Sequence, residues 1–301
     1  MMLPEPLRAF QSQVLTNQAL AKYTAVRLGG PADFILIARH VDALEKMVIG
    51  AWEAQISMRV LGAGANVLVQ DAGFRGLIVI NRANQVEVDH EHVRVDSGHS
   101  LTTFAKKCVH WNLTGFEWAG SVPGTIGGAV VNNAGAHGGD MSQCVVEASC
   151  LFLESDKIEK RTLNRDDLAY GYRSSSLKAR ADRNFLVLSA NLHLQTGDPV
   201  AIQEKLDANN AYRKCTQPPG ASLGSIFKNP EGDYAGRLIE LCGLKGFQMG
   251  GAQVSNVHAN FFINADHATA DDYLKLIEHV RTIVLEKTGI TLETEIEVVG
   301  N

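Results

Sequence analysis

Long apolar runs are missing from this sequence. No stretch reaches the roughly 18 continuous apolar residues of a membrane span. The first twenty residues carry acidic and polar groups where a secretory signal would have its apolar core. These gaps lead to the expectation of a cytoplasmic protein away from the membrane. A basic surplus is missing too. Lys and Arg number 28 against 33 Asp and Glu, for a net charge of −5. General nucleic-acid binding needs a basic surface, so it is excluded, and any phosphate site must be local. Cysteine is scarce: Cys108, Cys144, Cys150, Cys215 and Cys242 form no CxxC pair. An odd, scattered set fits reduced thiols rather than a disulfide framework. No metal is expected either. His90 and His92 share a strand face, but no third ligand follows at a usable spacing. The composition, 45% apolar and 20% charged, is that of a globular chain with room for one large or two to three small domains.

Glycine is what the chain concentrates. Residues 118–140 read WAGSVPGTIGGAVVNNAGAHGGD, and seven of these 23 are Gly120, Gly124, Gly127, Gly128, Gly135, Gly138 and Gly139. Glycine tolerates positive φ and lets another group come close to the backbone. Bare N–H groups in such a loop form a concavity for a phosphate. A flexible linker would place Ser, Glu or Lys between its glycines. Here the spacers are Val122, Ile126, Ala129, Val130, Val131 and Ala134. A packed segment against a diphosphate-bearing cofactor is the reading.

Around it the pattern alternates helix and strand. Residues 4–20 read as an amphipathic helix and 34–38 as a strand after a Gly-Gly-Pro turn. Residues 41–54 read as a helix, and a strand then enters the turn Gly62–Ala63–Gly64–Ala65–Asn66. This turn is half of a dinucleotide fingerprint. The third glycine is missing and a strand follows, so a phosphate- or ribityl-binding turn of another nucleotide fold is favoured over a Rossmann site, with a simple tight turn as the alternative. Residues 76–81 are a strand, 86–98 a hairpin turning near His90–Glu91, and 100–112 a helix. A second hairpin turns at Ser155–Asp156, and 185–195 is another strand. In NRDDLAYGYRSSSLK, Leu168, Tyr170 and Tyr172 can anchor a loop from which Arg173 projects. Spacing alone leaves open a surface arginine or a clamp for a carboxylate. A helix starts at Asp198–Pro199, the best domain boundary, and runs to about Arg213. Residues 217–232, with three prolines, read as an irregular loop. Asp233 caps a helix to Cys242, closed by Gly243. Residues 251–264 suggest a strand pair. Thr269 with Asp272 opens a helix over 270–288 with the stripe Tyr273, Leu276, Ile277, Val280, Ile283 and Val284, ended by Gly289. The last strand, 290–299, puts Glu293, Glu295 and Glu297 on one face, either solvated or with one member entering a cleft.

Seven segments together resemble one family: RLGGPADF (27–34), LGAGANVLV (61–69), AGSVPGTIGGAVVNNAGAHGGD (119–140), YGYRSSS (170–176), GSIFKNP (224–230), VSNVHANFFIN (254–264) and LETEIEVVG (292–300). The chain is similar, from about residue 17 onward, to the UDP-N-acetylenolpyruvoylglucosamine reductase (MurB) family, in its shorter class without an extra tyrosine-bearing loop. The resemblance implies an α+β fold with a two-part FAD-binding fold of the vanillyl-alcohol-oxidase (PCMH) type and a C-terminal α+β substrate domain. The divisions expected are 1–82, 83–196 and 197–301. It implies that NADPH reduces FAD, and that reduced flavin passes hydride to UDP-N-acetylglucosamine enolpyruvate to give UDP-N-acetylmuramate. A flavin oxidase of the same wider fold, acting on a small alcohol or lactone, is the alternative.

By motif, Ser225 resembles the family's proton donor, Arg173 the arginine that polarises the substrate carboxylate, and Glu295 the glutamate that assists. FAD contacts are expected at Gly62, Ala63, Gly64, Ala65 and Asn66 in the first turn. In the central segment they are expected at Gly120, Ser121, Pro123, Gly124, Thr125, Gly127, Gly128, Asn133 and Gly135. Tyr172, Lys228 and Asn229 are expected to touch substrate, Lys228 as a point charge suited to a phosphate. Many relatives in the wider fold bind flavin covalently through a histidine that falls near Asn66 here, so noncovalent FAD is expected. Two departures stand out: Leu223 where a small residue is expected, and Asp96 and His99 where the family often reads Ala-Gly. A monomer is expected.

Overall fold

A computed structural model describes residues 2–300. The chain divides into two compact units. The first comprises residues 2–15, Phe34–Ala63 and Leu77–Tyr212; the second comprises Thr16–Asp33, Gly64–Gly76 and 213–300. Helices and strands are mixed in both, as an α+β chain requires.

In the first unit, Met58–Leu61 runs parallel to residues 77–80 of the strand Phe74–Asn81. Helix Val41–Glu53 buries Leu44, Met47, Val48, Ala51 and Trp52, and its core takes in Leu36, Val79 and Leu188. The expected helix over 4–20 is instead a 3-10 helix, Glu5–Gln13, followed by the strand Leu15–Ala19. Pro4 and Pro6 at its start cannot donate to a helical ladder, and Leu7 is buried so close to Gly50 that a Cβ there would sit 2.8 Å from Leu7 Cδ2. Tertiary contact, not the three-and-four spacing, decides this segment.

A five-stranded antiparallel sheet carries the rest of the unit, ordered Lys157–Asn164, Val145–Glu154, Phe185–His193, His92–Asp96 and Val86–Asp89. Both hairpins turn where expected. Ser155 and Asp156 have φ of 49° and 62°, the two positive values of the turn that matches strand twist. Helix Leu101–His110 buries Leu101, Phe104, Ala105 and Cys108, and Ser100 caps it by accepting from Thr103 N–H. Against the sheet lies helix Ile126–Asn132, in the middle of the glycine-rich segment.

The second unit is built on a four-stranded sheet ordered Ser222–Ser225, Phe261–Asn264, Ala252–Val254 and Gln248–Met249. Residues 217–232 are therefore not wholly irregular. Their strand exists because Ser225 and Ser222 find partners in Phe261 and Ile263. Helix Ala270–Thr288 packs its expected stripe inward, with Tyr273, Leu276, Ile277, Val280 and Val284 buried and Ile283 partly so. Thr269 and Asp272 form a reciprocal capping box, and Gly289 closes the helix at φ 73°. Asp233 is not a cap: helix Ala235–Leu241 has Tyr234 at its N-cap without a side-chain bond. Asp233 holds Arg237 instead. The last strand is short. Only Glu297–Val299 is extended in a ladder, parallel to Val67–Val69.

Candidate functional site

In the first unit, the glycine-rich segment is held from below by the turn 96–100. Gly127 N–H donates to Ser97 O at 2.8 Å, Ile126 N–H to His99 O at 3.0 Å, and Leu101 N–H to Gly124 O at 3.2 Å. A Cβ on Gly127 would stand 2.9 Å from Ser97 Cβ, and one on Gly62 would stand 2.3 Å from Thr125 Oγ1. Side chains are excluded at both, so the Gly62 turn is brought against the glycine-rich segment. Gly128 differs. It is exposed, and a Cβ there meets nothing nearer than Thr125 Oγ1 at 3.7 Å. Ser121 Oγ is buried with no protein partner. A buried hydroxyl without a partner asks for a ligand or water, and Gly128, in the same glycine-rich segment, leaves its own surface open to one. These residues fit a flavin dinucleotide.

The departures Asp96 and His99 are both buried in this supporting turn. Asp96 accepts from Gln85 N–H at 2.9 Å. Burial raises its carboxyl above the ordinary value. His99 Nδ1–H donates to Ser100 O at 3.0 Å, which leaves Nε2 to accept from Lys107 Nζ at 3.2 Å. Burial first, and Lys107 in addition, push its pKa down. A neutral imidazole is thus built into the base of the loop.

Arg173 sits in a tight turn, where Gly171 and Ser174 exchange backbone hydrogen bonds. Its φ is 52°, a left-handed conformation that costs a side-chain-bearing residue. Its Nη2 donates to Gly135 O at 2.6 Å, and its Nη1 faces Asn133 O at 3.5 Å. The guanidinium is therefore aimed at the glycine-rich segment. Of the three expected anchors, Leu168 is buried and Tyr170 half-buried, but Tyr172 is 56% exposed. Tyr172 lies beside Arg173 instead, its ring 5.3 Å from Arg173 Cζ. Asn133, expected among the FAD contacts, uses its amide within the chain: Nδ2 donates to Gly171 O and Oδ1 accepts from Ser142 N–H.

In the second unit, two distant motifs lie side by side. Glu295 N–H donates to Ile226 O, and Lys228 N–H to Glu293 O, each at 2.8 Å. The segment after Ser225 is thereby paired with the segment that carries Glu295, and both residues are half-buried. Asn260, which is buried, clamps the same place: its Oδ1 accepts from Phe227 N–H at 2.9 Å and its Nδ2 donates to Phe227 O at 2.8 Å. Sequence reasoning gave Asn260 no role. The signal was an amide directly before the apolar run Phe261, Phe262 and Ile263. Gly224 precedes Ser225 at φ 76°, where a side chain would be strained. Leu223 is buried in the core with Ile226 and Phe227. Lys228 pairs with Glu293 at 3.1 Å, but Glu293 is 75% exposed, so the bond is weak and Lys228 is available to a ligand. Asn229 Oδ1 accepts from Ala235 N–H.

The first turn divides its work. Arg82 Nη1 donates to Gly62 O at 2.7 Å. Gly64 has φ 60°, with Tyr23 O where its Cβ would be. Asn66 Nδ2 donates to Glu295 O at 3.1 Å, and Asn66 O accepts from Glu297 N–H at 2.9 Å. Asn66 thus steadies the backbone of Glu295.

Residues 216–299 match the family model for the UDP-N-acetylenolpyruvoylglucosamine reductase C-terminal domain. Residues 32–158 match that for an FAD binding domain. The chain is 40% identical to the UDP-N-acetylenolpyruvoylglucosamine reductase of Levilactobacillus brevis, over 100% of this chain and 98% of that one. It is also 40% identical to the Bacillus subtilis reductase, over 96% and 94%. Among solved structures, the UDP-N-acetylenolpyruvylglucosamine reductase of Thermus caldophilus superposes with a TM-score of 0.77 at 29% identity, covering 95% of this chain and 97% of that one.

Proposed function

Since the chain belongs to the UDP-N-acetylenolpyruvoylglucosamine reductase family, we propose that it reduces UDP-N-acetylglucosamine enolpyruvate to UDP-N-acetylmuramate, a step of bacterial peptidoglycan synthesis, with NADPH as hydride donor. Bound FAD supplies the two-electron chemistry between NADPH and the enol ether. In the first unit, Ser121 Oγ, Gly128 and the Gly62–Thr125 contact are the features that suit FAD. Within this reading residues 1–82 and 83–196 hold the cofactor, and 197–301 takes the substrate.

The remaining work belongs to side chains. Hydride added to the double bond leaves negative charge next to the substrate carboxylate. Arg173, a planar guanidinium held by backbone carbonyls, is assigned to that carboxylate and spreads the charge. Ser225 Oγ is assigned the proton that the carbanionic carbon then takes, a contribution of about 10²–10⁴ in rate. Glu295 orients donors around it. Tyr172, Lys228 and Asn229 are the further substrate contacts, with Lys228 facing a phosphate.

One observation carries the reading: the Ser225 and Glu295 motifs, far apart in the chain, are laid together by paired backbone hydrogen bonds. An oxidase needs neither motif. Four cysteines are buried thiols and Cys215 is an exposed one, which suits a reducing cytoplasm. Among the described residues no helix is long and apolar enough to cross a membrane. A cytoplasmic monomer that binds no nucleic acid completes the proposal. The test is turnover. NADPH oxidation should depend on UDP-N-acetylglucosamine enolpyruvate and yield a product two hydrogens heavier by mass spectrometry. Substrate-independent oxidation consuming oxygen, with no such product, would refute it.

A further inference from the structure

One side chain joins the glycine-rich helix to the turn that carries Arg173. Asn133 is 4% exposed. It ends helix Ile126–Asn132 in the left-handed region, at φ 44° and ψ 57°, with its N–H bonded back to Ala129 O. Its amide points in two directions. Nδ2 donates to Gly171 O at 3.0 Å, and Oδ1 accepts from Ser142 N–H at 2.9 Å. Gly171 is the base of the turn, because it exchanges both backbone bonds with Ser174, at 3.1 and 3.2 Å. Tyr172 and Arg173 are the two residues between. Past Asn133 the chain presents Gly135 O to Arg173 Nη2 at 2.6 Å.

We infer that Asn133 is a positioning residue for Arg173 and not a ligand of the cofactor. Two requirements meet at this position. The backbone must be left-handed, which glycine and, among side-chain-bearing residues, asparagine and aspartate adopt most readily. The side chain must also donate to one strand of chain and accept from another at short reach. Glycine meets only the first requirement and aspartate lacks the donor; asparagine meets both. Its N–H and both ends of its amide are engaged within the protein, so the orientation of the amide is set by Gly171 and Ser142. The bond to Gly171 O fixes the base of the Arg173 turn relative to the end of the cofactor helix. Orientation at this level matters to rate. A guanidinium shifted by about 1 Å from a substrate carboxylate costs on the order of 10² in the step it assists.

This inference rests on the assignment of Arg173 to the substrate carboxylate. It is tested with Asn133→Gly, which keeps the left-handed backbone without strain and removes both amide bonds. Retained FAD absorbance and a cooperative melt show that the variant folds. Asn133→Asp, which keeps the acceptor for Ser142 N–H, serves if Asn133→Gly does not fold. FAD affinity of the apoprotein, read by flavin fluorescence, and flavin reduction by NADPH should stay within about threefold of wild type. Reoxidation by UDP-N-acetylglucosamine enolpyruvate should slow by about 10- to 100-fold. In an Arg173→Gln background the same substitution should change reoxidation by less than about threefold, because the two act as a unit. Weakened FAD binding, slowed reduction, or effects that multiply with Arg173→Gln would overturn the inference. A variant reoxidised at the wild-type rate would overturn it alone. Wild-type flavin that substrate cannot reoxidise would overturn the reaction assigned above, and this inference with it.

Discussion

At the scale of single residues, the assignments separate by half-reaction. With Ser225 proposed as the proton donor to substrate, Ser225→Ala should leave flavin reduction by NADPH within a few-fold and slow reoxidation by ~10² or more. Stopped-flow absorbance of each half-reaction checks this, and equal slowing of both would remove Ser225 from the role. Arg173→Lys should not restore reoxidation, since one point charge does not replace a planar fork. Wild-type turnover in that variant would place the carboxylate elsewhere. His99 makes a different prediction. Its pKa is pushed below the ordinary histidine value by burial and Lys107. The neutral form is favoured in the folded state, so its contribution is present above the unfolded value, near pH 6.5, and is lost as pH falls through the lower folded value. The melting temperature should therefore drop on acidification below about pH 6.5, and less steeply in His99→Asn. Because burial depresses His258 as well, the difference between wild type and variant is the quantity to read. Parallel pH profiles would show that His99 carries none of it.

At the scale of elements, the glycine-rich helix and the Ser225 strand invite separate tests. Gly128→Val should give a folded but colourless protein. A Cβ at Gly128 meets nothing within the chain closer than 3.7 Å, so the side chain intrudes on the ligand and not on the fold. A yellow variant would put the flavin elsewhere. Asn260→Ala strips both partners from the backbone of Phe227. Leaving two buried backbone groups unpaired should cost about 2–4 kcal/mol in urea unfolding. Elements whose signal is local were legible in the sequence. Thr269, Asp272 and Gly289 mark both ends of their helix, and Ser155 with Asp156 marks a hairpin. Elements fixed by distant partners were not. Residues 4–20 carry helical spacing, yet Leu7 is drawn to Gly50 and the chain straightens into a strand. The strand at Ser222–Ser225 is invisible among prolines until Phe261 and Ile263 are beside it. The site followed the same division. Ser225, Arg173 and Glu295 are named by motif, whereas Asn260 and the inward turn of the Asn133 amide depend on partners 33 and 38 residues away.

For the molecule as a whole, the central claim is that one chain runs two half-reactions on one flavin. The direct measurement is the visible flavin spectrum of the purified, FAD-loaded protein under anaerobic conditions, titrated first with NADPH and then with UDP-N-acetylglucosamine enolpyruvate. The account predicts that the flavin band bleaches with NADPH and returns in full with substrate, with one UDP-N-acetylmuramate formed per flavin reoxidised. A band that bleaches and stays bleached until oxygen is admitted would contradict it and favour an oxidase.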